Sequence, residues 1–128
     1  MTTAATERSG TRAAHRQATL APVDAIARQL QDELGQRLVA YAAGIRSPKL
    51  VGRWAVRAHT PATEAEQRLR ALYRTTLILG AAYGPETKRA WLTGSNPDLN
   101  DQAPIDLLRD GQTVPVFNAA NVFVEGQE

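Results

Sequence analysis

The stretch AWLTGSNPDLNDQAPIDLLRDG, residues 90–111, decides the fold of this chain. It mixes large apolar residues with glycine, asparagine, aspartate and proline, which interrupt helices. Turns at Gly94, Asn96–Pro97 and Gly111 divide it into short segments that keep their apolar residues at helical spacing. We therefore expect short helices that fold onto the end of a longer helix. The residues expected to form their core are Trp91, Leu99, Leu107 and Leu108.

Helical spacing of apolar residues continues on both sides of this stretch. Toward the N-terminus it predicts a long helix over about residues 61–82, preceded by shorter helices from Pro22 onward. Toward the C-terminus it predicts an amphipathic helix over about residues 114–124. No segment alternates apolar and polar residues with the period of a strand. The predicted fold class is all-α, with a front bundle over about residues 22–58 and a rear helical domain built on the long helix.

Glycine and proline mark the boundaries of these predicted helices. Gly35 is expected to separate two helices, and Gly44 to end the second one in a left-handed cap. Ser47–Pro48 then forms a start signal, with a hydroxyl N-cap followed by proline at the first helical position. Thr60–Pro61 repeats that signal before the long helix.

Composition excludes several classes of protein. A chain of 128 residues with 43% hydrophobic content fits one ordinary domain or two very small ones. The absence of cysteine excludes disulfide scaffolds and thiolate metal sites and agrees with a cytoplasmic location. No apolar run approaches the roughly 20 residues of a membrane span. Residues 1–20 are small and polar, lack the apolar stretch of a secretory signal, and are expected to form a disordered arm.

Charge is distributed unequally along the chain. Residues 1–75 contain 12 Arg and Lys against 6 Asp and Glu, whereas residues 76–128 contain 3 against 7. A basic front half suits a polyanionic partner, and an acidic rear half does not. The contrast indicates two separate tasks for the two halves.

The segment QRLVAYAAGIRSPKLVGRWAVR, residues 36–57, fits a helix-turn-helix motif. Ala40, Gly44 and Ile45 stand where the motif needs a small contact residue, a turn and an apolar anchor. Val51 and Trp54 supply the buried side of the second helix, one residue later than the commonest spacing. The side chains expected to face DNA are Arg46, Ser47, Lys49, Arg53 and Arg57. Two helices joined by a glycine turn also occur in bundles that bind no DNA, so this alternative stays open.

Groups with a catalytic or metal-binding pattern are absent from the sequence. His15 and His59 are the two histidines, and neither has a partner at zinc-helix spacing. The stretch Asp98, Asn100 and Asp101 lacks the glycine and the distant glutamate of a calcium loop. No phosphate-binding glycine loop or nucleophile elbow is present. We therefore expect no enzyme activity, no cofactor and no metal.

Over about residues 24–125 the chain resembles the Xre/MbcA/ParS antitoxins. The resemblance rests on GIRSPKLVGRW in the front half and, in the rear half, on AWLTGSNPDLNDQAPIDLLRDG followed by VFNAANVFVEG. It implies an Xre-type helix-turn-helix over residues 21–60 and a helical toxin-binding domain over residues 61–128. The residues it implies for the toxin-binding module are Trp91, Leu92, Asn96, Pro97, Leu99, Pro104, Leu107, Leu108 and Gly111. Ala103 departs from the pattern, because a hydroxyl or acidic side chain would cap the following helix better.

The resemblance also implies a partner and a mode of action. The usual partner of such proteins is a RES-domain toxin that destroys NAD, and the last helix with its tail, residues 116–128, is expected to cover the toxin active site. Phe117 and Phe123 are six residues apart, so we expect one of them to stay partly exposed and anchor the interface. A truncation near Gly111 is then expected to keep DNA binding and lose protection against the toxin.

The predicted function is therefore the antitoxin of a type II toxin–antitoxin system that also binds operator DNA for autoregulation. Its expected partners are a RES-domain toxin, double-stranded DNA, and either a second copy of the chain or a toxin–antitoxin hetero-oligomer, with no membrane contact. Two alternatives stay open, a helix-turn-helix transcription regulator without a toxin and a protein-interaction adaptor.

Overall fold

The computed structural model describes residues 12–80 and 82–126, and the regular structure in these ranges is helical, as the all-α prediction requires. The elements in chain order are α1 (residues 12–20), α2 (Val23–Leu34), α3 (Gln36–Ala43), α4 (Pro48–Ala55), α5 (Thr63–Gly80), α6 (Pro85–Thr93), a 3-10 turn (Pro97–Leu99), α7 (Pro104–Arg109) and α8 (Thr113–Glu125).

The predicted boundaries at Gly35, Gly44 and Pro48 are where helices begin and end, whereas α5 begins at Thr63 and not at Pro61. Gly35, with a φ of 86°, separates α2 from α3. Gly44, with a φ of 77°, ends α3. The amide of Ile45 donates to the carbonyl of Ala40 at 3.0 Å, which closes a Schellman cap after Gly44. Pro48 occupies the start of α4 as expected, but the hydroxyl of Ser47 makes no capping hydrogen bond.

The expectation of a disordered arm over residues 1–20 is wrong for residues 12–20, which form α1; residues 1–11 lie outside the described part. Ala14 and Ala18 are buried, and their small side chains one turn apart let α1 lie close to α5. Arg70 on α5 donates to the carbonyls of Ala18 and Ala21 at 3.0 and 2.8 Å, so it satisfies the C-terminal end of α1. The packing of α1 on α5 therefore depends on small side chains and on Arg70, which is distant in the sequence. Neither feature produces a strong apolar pattern in the sequence of α1.

The core is continuous from the front helices to the rear helices. Trp54 on α4, Leu72 and Leu79 on α5, and Val116 on α8 are all fully buried in one hydrophobic cluster. Helix α5 packs against α2 and α3 and also against α8. Helix α5 therefore contributes to the core of both the front helices and the rear helices.

An ion pair joins the end of α2 to α6 across these two parts. Lys88 Nζ donates to Glu33 Oε1 at 2.6 Å, and Arg89 donates to the backbone carbonyl of Glu33 at 2.6 Å. The side chain of Lys88 is only 9% exposed and that of Glu33 is 19% exposed. Removing one partner would leave the other as a poorly solvated charge.

Lys88→Met is expected to lower the free energy of unfolding by about 2 kcal/mol, less than the roughly 3–5 kcal/mol of a fully buried broken pair because Glu33 is partly exposed. The double variant Lys88→Met, Glu33→Met should recover most of this loss. Urea denaturation measures both. The control is Arg28→Met, which removes a 3.7 Å contact with Asp24 from an exposed arginine; Asp24 keeps Arg57 as its closer partner, so stability should change by less than about 1 kcal/mol. A Lys88→Met chain as stable as the parent would contradict the expectation.

Candidate functional site

Helix α4 presents a basic face to solvent. Val51, Trp54 and Ala55 are buried on one side of the helix. Lys49 and Arg53, which lie one turn apart, are exposed on the opposite side. Arg46 and Ser47 are exposed just before the helix. Within the described ranges, Arg46, Lys49 and Arg53 have no ion-pair partner, so their charges are available to an external anion.

Arg57, the fifth residue of this predicted set, is placed differently. It follows α4 in a left-handed conformation with φ of 62°, and its Nε lies 3.1 Å from Asp24 Oδ2 on α2. Burial raises the pKa of the Asp24 carboxyl, but the hydrogen bond and charge of Arg57, together with the backbone and Arg28, outweigh it, so the pKa lies below its ordinary value. Arg57 is therefore partly neutralised, and the free charge concentrates on Arg46, Lys49 and Arg53.

Close packing between α3 and α4 holds this basic face in place. A Cβ on Gly52 would lie 2.7 Å from Nε2 of Gln36 at the start of α3, so glycine permits the approach of the two helices. The Gln36 amide also donates to Gln31 Oε1 at 3.0 Å, which ties the start of α3 to α2. Any larger residue at position 52 would have to displace this amide.

The rear sequence signature is largely structural. Asn96 is buried, and its Oδ1 accepts the amide of Asp98 at 2.9 Å, while its backbone carbonyl accepts the amide of Asp101 at 2.8 Å. These bonds close the turn that leads Leu99 into the core. The signature residues that are buried with it are Leu92, Pro104, Leu107 and Leu108. Pro97 and Gly111 are exposed, and Gly111 has a φ of 82° that a side chain would strain.

What the rear helices leave open is a groove between α6 and α8, which we call the aromatic groove. Its apolar walls are Trp91 on α6 with Val122 and Phe123 on α8, and its volume is about 380 Å³. The Phe123 ring centroid lies 6.1 Å from that of Trp91 and 4.9 Å from that of Tyr83. Val122 is 52% exposed, and Trp91 and Phe123 are partly exposed. Large apolar side chains thus meet solvent at one place.

One sequence-based expectation changes here, and another is met. Trp91 is only partly buried and packs against the core from its edge, whereas Leu99, Leu107 and Leu108 are core residues as expected. Of the two phenylalanines, Phe117 is buried and Phe123 is the one that stays partly exposed. Sequence reasoning missed Val122. The available signal was the run of apolar residues over 114–124, which is broader than one helix face can bury.

A group of polar contacts joins α3 to α7. The Tyr41 hydroxyl donates to Asp106, and Arg109 lies over the Tyr41 ring at 4.6 Å while donating to the Tyr41 carbonyl at 2.8 Å. The hydrogen bond to Asp106 raises the pKa of Tyr41, and desolvation and the negative charge of Asp106 act in the same direction. The tyrosine therefore stays protonated as a donor further into alkaline pH.

The described side chains contain no cluster of three or more His, Asp or Glu suited to a metal ion. None of the helices described is long and apolar enough to cross a lipid bilayer. In the segment 116–128, which the resemblance places over the toxin active site, Glu125 is exposed at the end of α8, and Glu128 lies outside the described residues.

Comparison with known proteins identifies the fold. No family model and no curated protein matches the chain. A chain of the crystal structure of the M. tuberculosis MbcT-MbcA toxin–antitoxin complex matches with a TM-score of 0.71 and 23% sequence identity, over 85% of this chain and 99% of that chain. The fold is therefore shared along nearly the whole of that chain, which agrees with the resemblance carried by the two sequence segments.

Proposed function

We propose that this chain is an antitoxin that binds its toxin through the aromatic groove and binds operator DNA through α4. The observation that carries the proposal is the fold shared over 99% of a chain from a toxin–antitoxin complex. The sequence resemblance names the toxin class, a RES-domain enzyme that degrades NAD. In this role the protein is not itself an enzyme, acts in the cytoplasm, and assembles with the toxin or with a second copy of the chain.

The aromatic groove suits a protein partner for a physical reason. Trp91, Val122 and Phe123 place apolar area in water at one end of the molecule, and burying such area favours association. Few contacts at the centre of an interface carry most of its affinity, and large aromatic residues are common among them. Gly126 also lines the groove, so the chain leaves α8 at its rim. A toxin docked here would have the acidic C-terminal end, with exposed Glu125, next to its surface.

The function is tested by expressing the chain with the product of the adjacent reading frame, which the proposal expects to be a RES-domain protein. Co-purification of the two proteins, and restored growth of cells that express the toxin, are the expected results. The alternatives give different outcomes. A regulator without a toxin binds its own upstream DNA but neither co-purifies nor restores growth. An adaptor fails in both assays, and its DNA affinity has no steep dependence on salt.

DNA binding is expected to depend on Arg53 and Lys49 in different ways. If Arg53 contacts a base edge, Arg53→Ala should cost roughly 1–3 kcal/mol and relax the sequence preference at that base. If Lys49 contacts phosphate, Lys49→Ala should weaken all sequences alike and reduce the salt slope by about 1. Fluorescence anisotropy with a duplex from the region upstream of the gene measures both. The matched control is Arg37→Ala, an exposed arginine on α3. Unchanged duplex affinity in the Lys49→Ala, Arg53→Ala double variant would refute the assignment.

A further inference from the structure

A second concave site lies away from both candidate surfaces, between α1, α5 and the start of α8. Its volume is about 430 Å³, and we call it the arginine groove. Its lining side chains include His15, Thr19, Arg68, Arg74, Thr113 and Phe117, and also the carboxylate of Glu64. None of these residues belongs to the aromatic groove or to the basic face of α4, so the proposed function leaves this site unexplained.

Arg74 lines the arginine groove and has no acidic partner among the described residues. Its guanidinium lies 4.1 Å from the centroid of the Phe117 ring and donates to Nδ1 of His15 at 3.0 Å. Its Nε is buried and makes no hydrogen bond, and within residues 12–80 and 82–126 no carboxylate forms an ion pair with it. Arg74 is partly buried, and this burial lowers its pKa. A partly buried guanidinium without a carboxylate beside it can take an external anion as its partner.

Two other arginines on α5, Arg70 and Arg68, differ in whether their N–H donors have partners. Arg70 pairs with Glu66 at 3.0 Å and donates to carbonyls at the end of α1. Arg68 has a buried Nε without a hydrogen bond, and its Nη1 is 3.7 Å from Glu64 Oε2, beyond hydrogen-bond distance. Glu64 is also 83% exposed, so water screens this pair. Arg68 and Arg74 therefore both retain donor capacity toward the arginine groove.

Positive charge continues beyond Arg74 into an adjoining depression. This depression shares His15, Thr19 and Arg74 with the arginine groove and adds Arg12 and Arg16 from α1. Both added arginines are exposed, and neither forms an ion pair in the part of the chain that the structure describes. Because His15 accepts from Arg74 at Nδ1, its neutral ring carries a proton on Nε2 and offers one more donor.

We propose that the arginine groove binds a phosphate group, either free or carried by a nucleotide-sized ligand. The planar guanidinium fork matches phosphate oxygens and forms charge-assisted hydrogen bonds with them. The cationic centre, Arg74, is recessed in a concavity, and a recessed centre suits a small ligand. The phosphates of a DNA duplex, by contrast, meet exposed cations such as Lys49 and Arg53.

The test is isothermal titration calorimetry of the full chain with pyrophosphate and with ADP at low ionic strength. Both are expected to bind, and Arg74→Gln is expected to weaken the binding by about ten-fold or more, because it removes the central charge-assisted contacts. Arg16→Gln, on the exposed rim and without structural contacts, should weaken it by about three-fold through lost attraction alone. The control Arg37→Gln, an exposed arginine elsewhere, should bind like the parent chain. Thermal melting of each variant checks that the fold is retained.

Equal affinity for the two probes assigns the site to inorganic phosphate, and tighter binding of ADP assigns it to a nucleotide. Three results overturn the proposal. One is the absence of binding to the parent chain, and another is an equal loss in Arg16→Gln and Arg37→Gln, which indicates unspecific attraction. The third is displacement of pyrophosphate by duplex DNA together with weaker duplex binding in Arg74→Gln, because the groove then belongs to a nucleic-acid interface. Since Arg74 contacts neither candidate surface, each of these results leaves toxin binding through the aromatic groove unaffected.

Discussion

Val122→Glu is expected to abolish neutralisation of the toxin while the fold and DNA binding are retained. The Val122 side chain is 52% exposed, so a glutamate there stays hydrated in the free protein and removes little core packing. In the complex the same carboxylate would lie among Trp91 and Phe123 and would have to lose its water without gaining a partner. We expect the Kd for the toxin to rise by about 100-fold, equivalent to about 2.7 kcal/mol. Growth of toxin-expressing cells and direct titration of purified toxin measure the effect.

The control for this variant is Val114→Glu. Val114 lies at the opposite end of α8, is 63% exposed, and is not part of the aromatic groove. It should bind the toxin like the parent chain, which separates a local effect from a general effect of added negative charge. Full protection by Val122→Glu, at normal expression level, would show that the toxin docks elsewhere.

Removing residues 112–128 is expected to unfold the whole chain, whereas the sequence alone predicts that such a truncation keeps DNA binding. Helix α8 buries Val116, Phe117, Ala119 and Ala120, and it packs along α5. Burial of Val116 and Phe117 alone contributes roughly 1.5–3 kcal/mol each. A small domain has a total free energy of unfolding of about 5–15 kcal/mol. Loss of α8 exposes a face of α5 to water, and we expect this loss of stability to be larger than the stability that the remaining core provides. Because α5 also packs against α2 and α3, the DNA-binding part should be lost with it.

Circular dichroism and thermal melting of the truncated chain measure this outcome. A chain that lacks only residues 127–128 serves as control and should melt like the parent, because α8 ends at Glu125. Cooperative melting together with operator binding by the truncated chain would mean that the front helices are stable without the rear helices. In that case the front helices and the rear helices would unfold independently, although their core is continuous.

The sequence by itself determined most of the helices and where they begin and end, with α1 as the exception. The residues at these limits act through their own backbone properties, so the limits can be predicted without any knowledge of distant contacts. These residues are Gly35, Gly44, Pro48 and Pro85. The buried side of α4 follows from the spacing of Val51 and Trp54 for the same reason. The basic face of α4 follows as well, since side chains opposite a buried stripe must face solvent.

Only the tertiary structure decided which residues of the rear half meet solvent. Trp91, Phe117 and Phe123 are all large and aromatic, yet only Phe117 is buried. Their exposure depends on how α6, α8 and the loop around Tyr83 cover one another.

The same is true of contacts between segments that are far apart in the chain. Glu33 meets Lys88 and His15 meets Arg74 only after the helices have packed. Helix α1 is likewise held by α5, because its own small residues have too little apolar area to form a core. Local periodicity reports on one helix at a time, whereas these features depend on distances between helices that no local pattern contains.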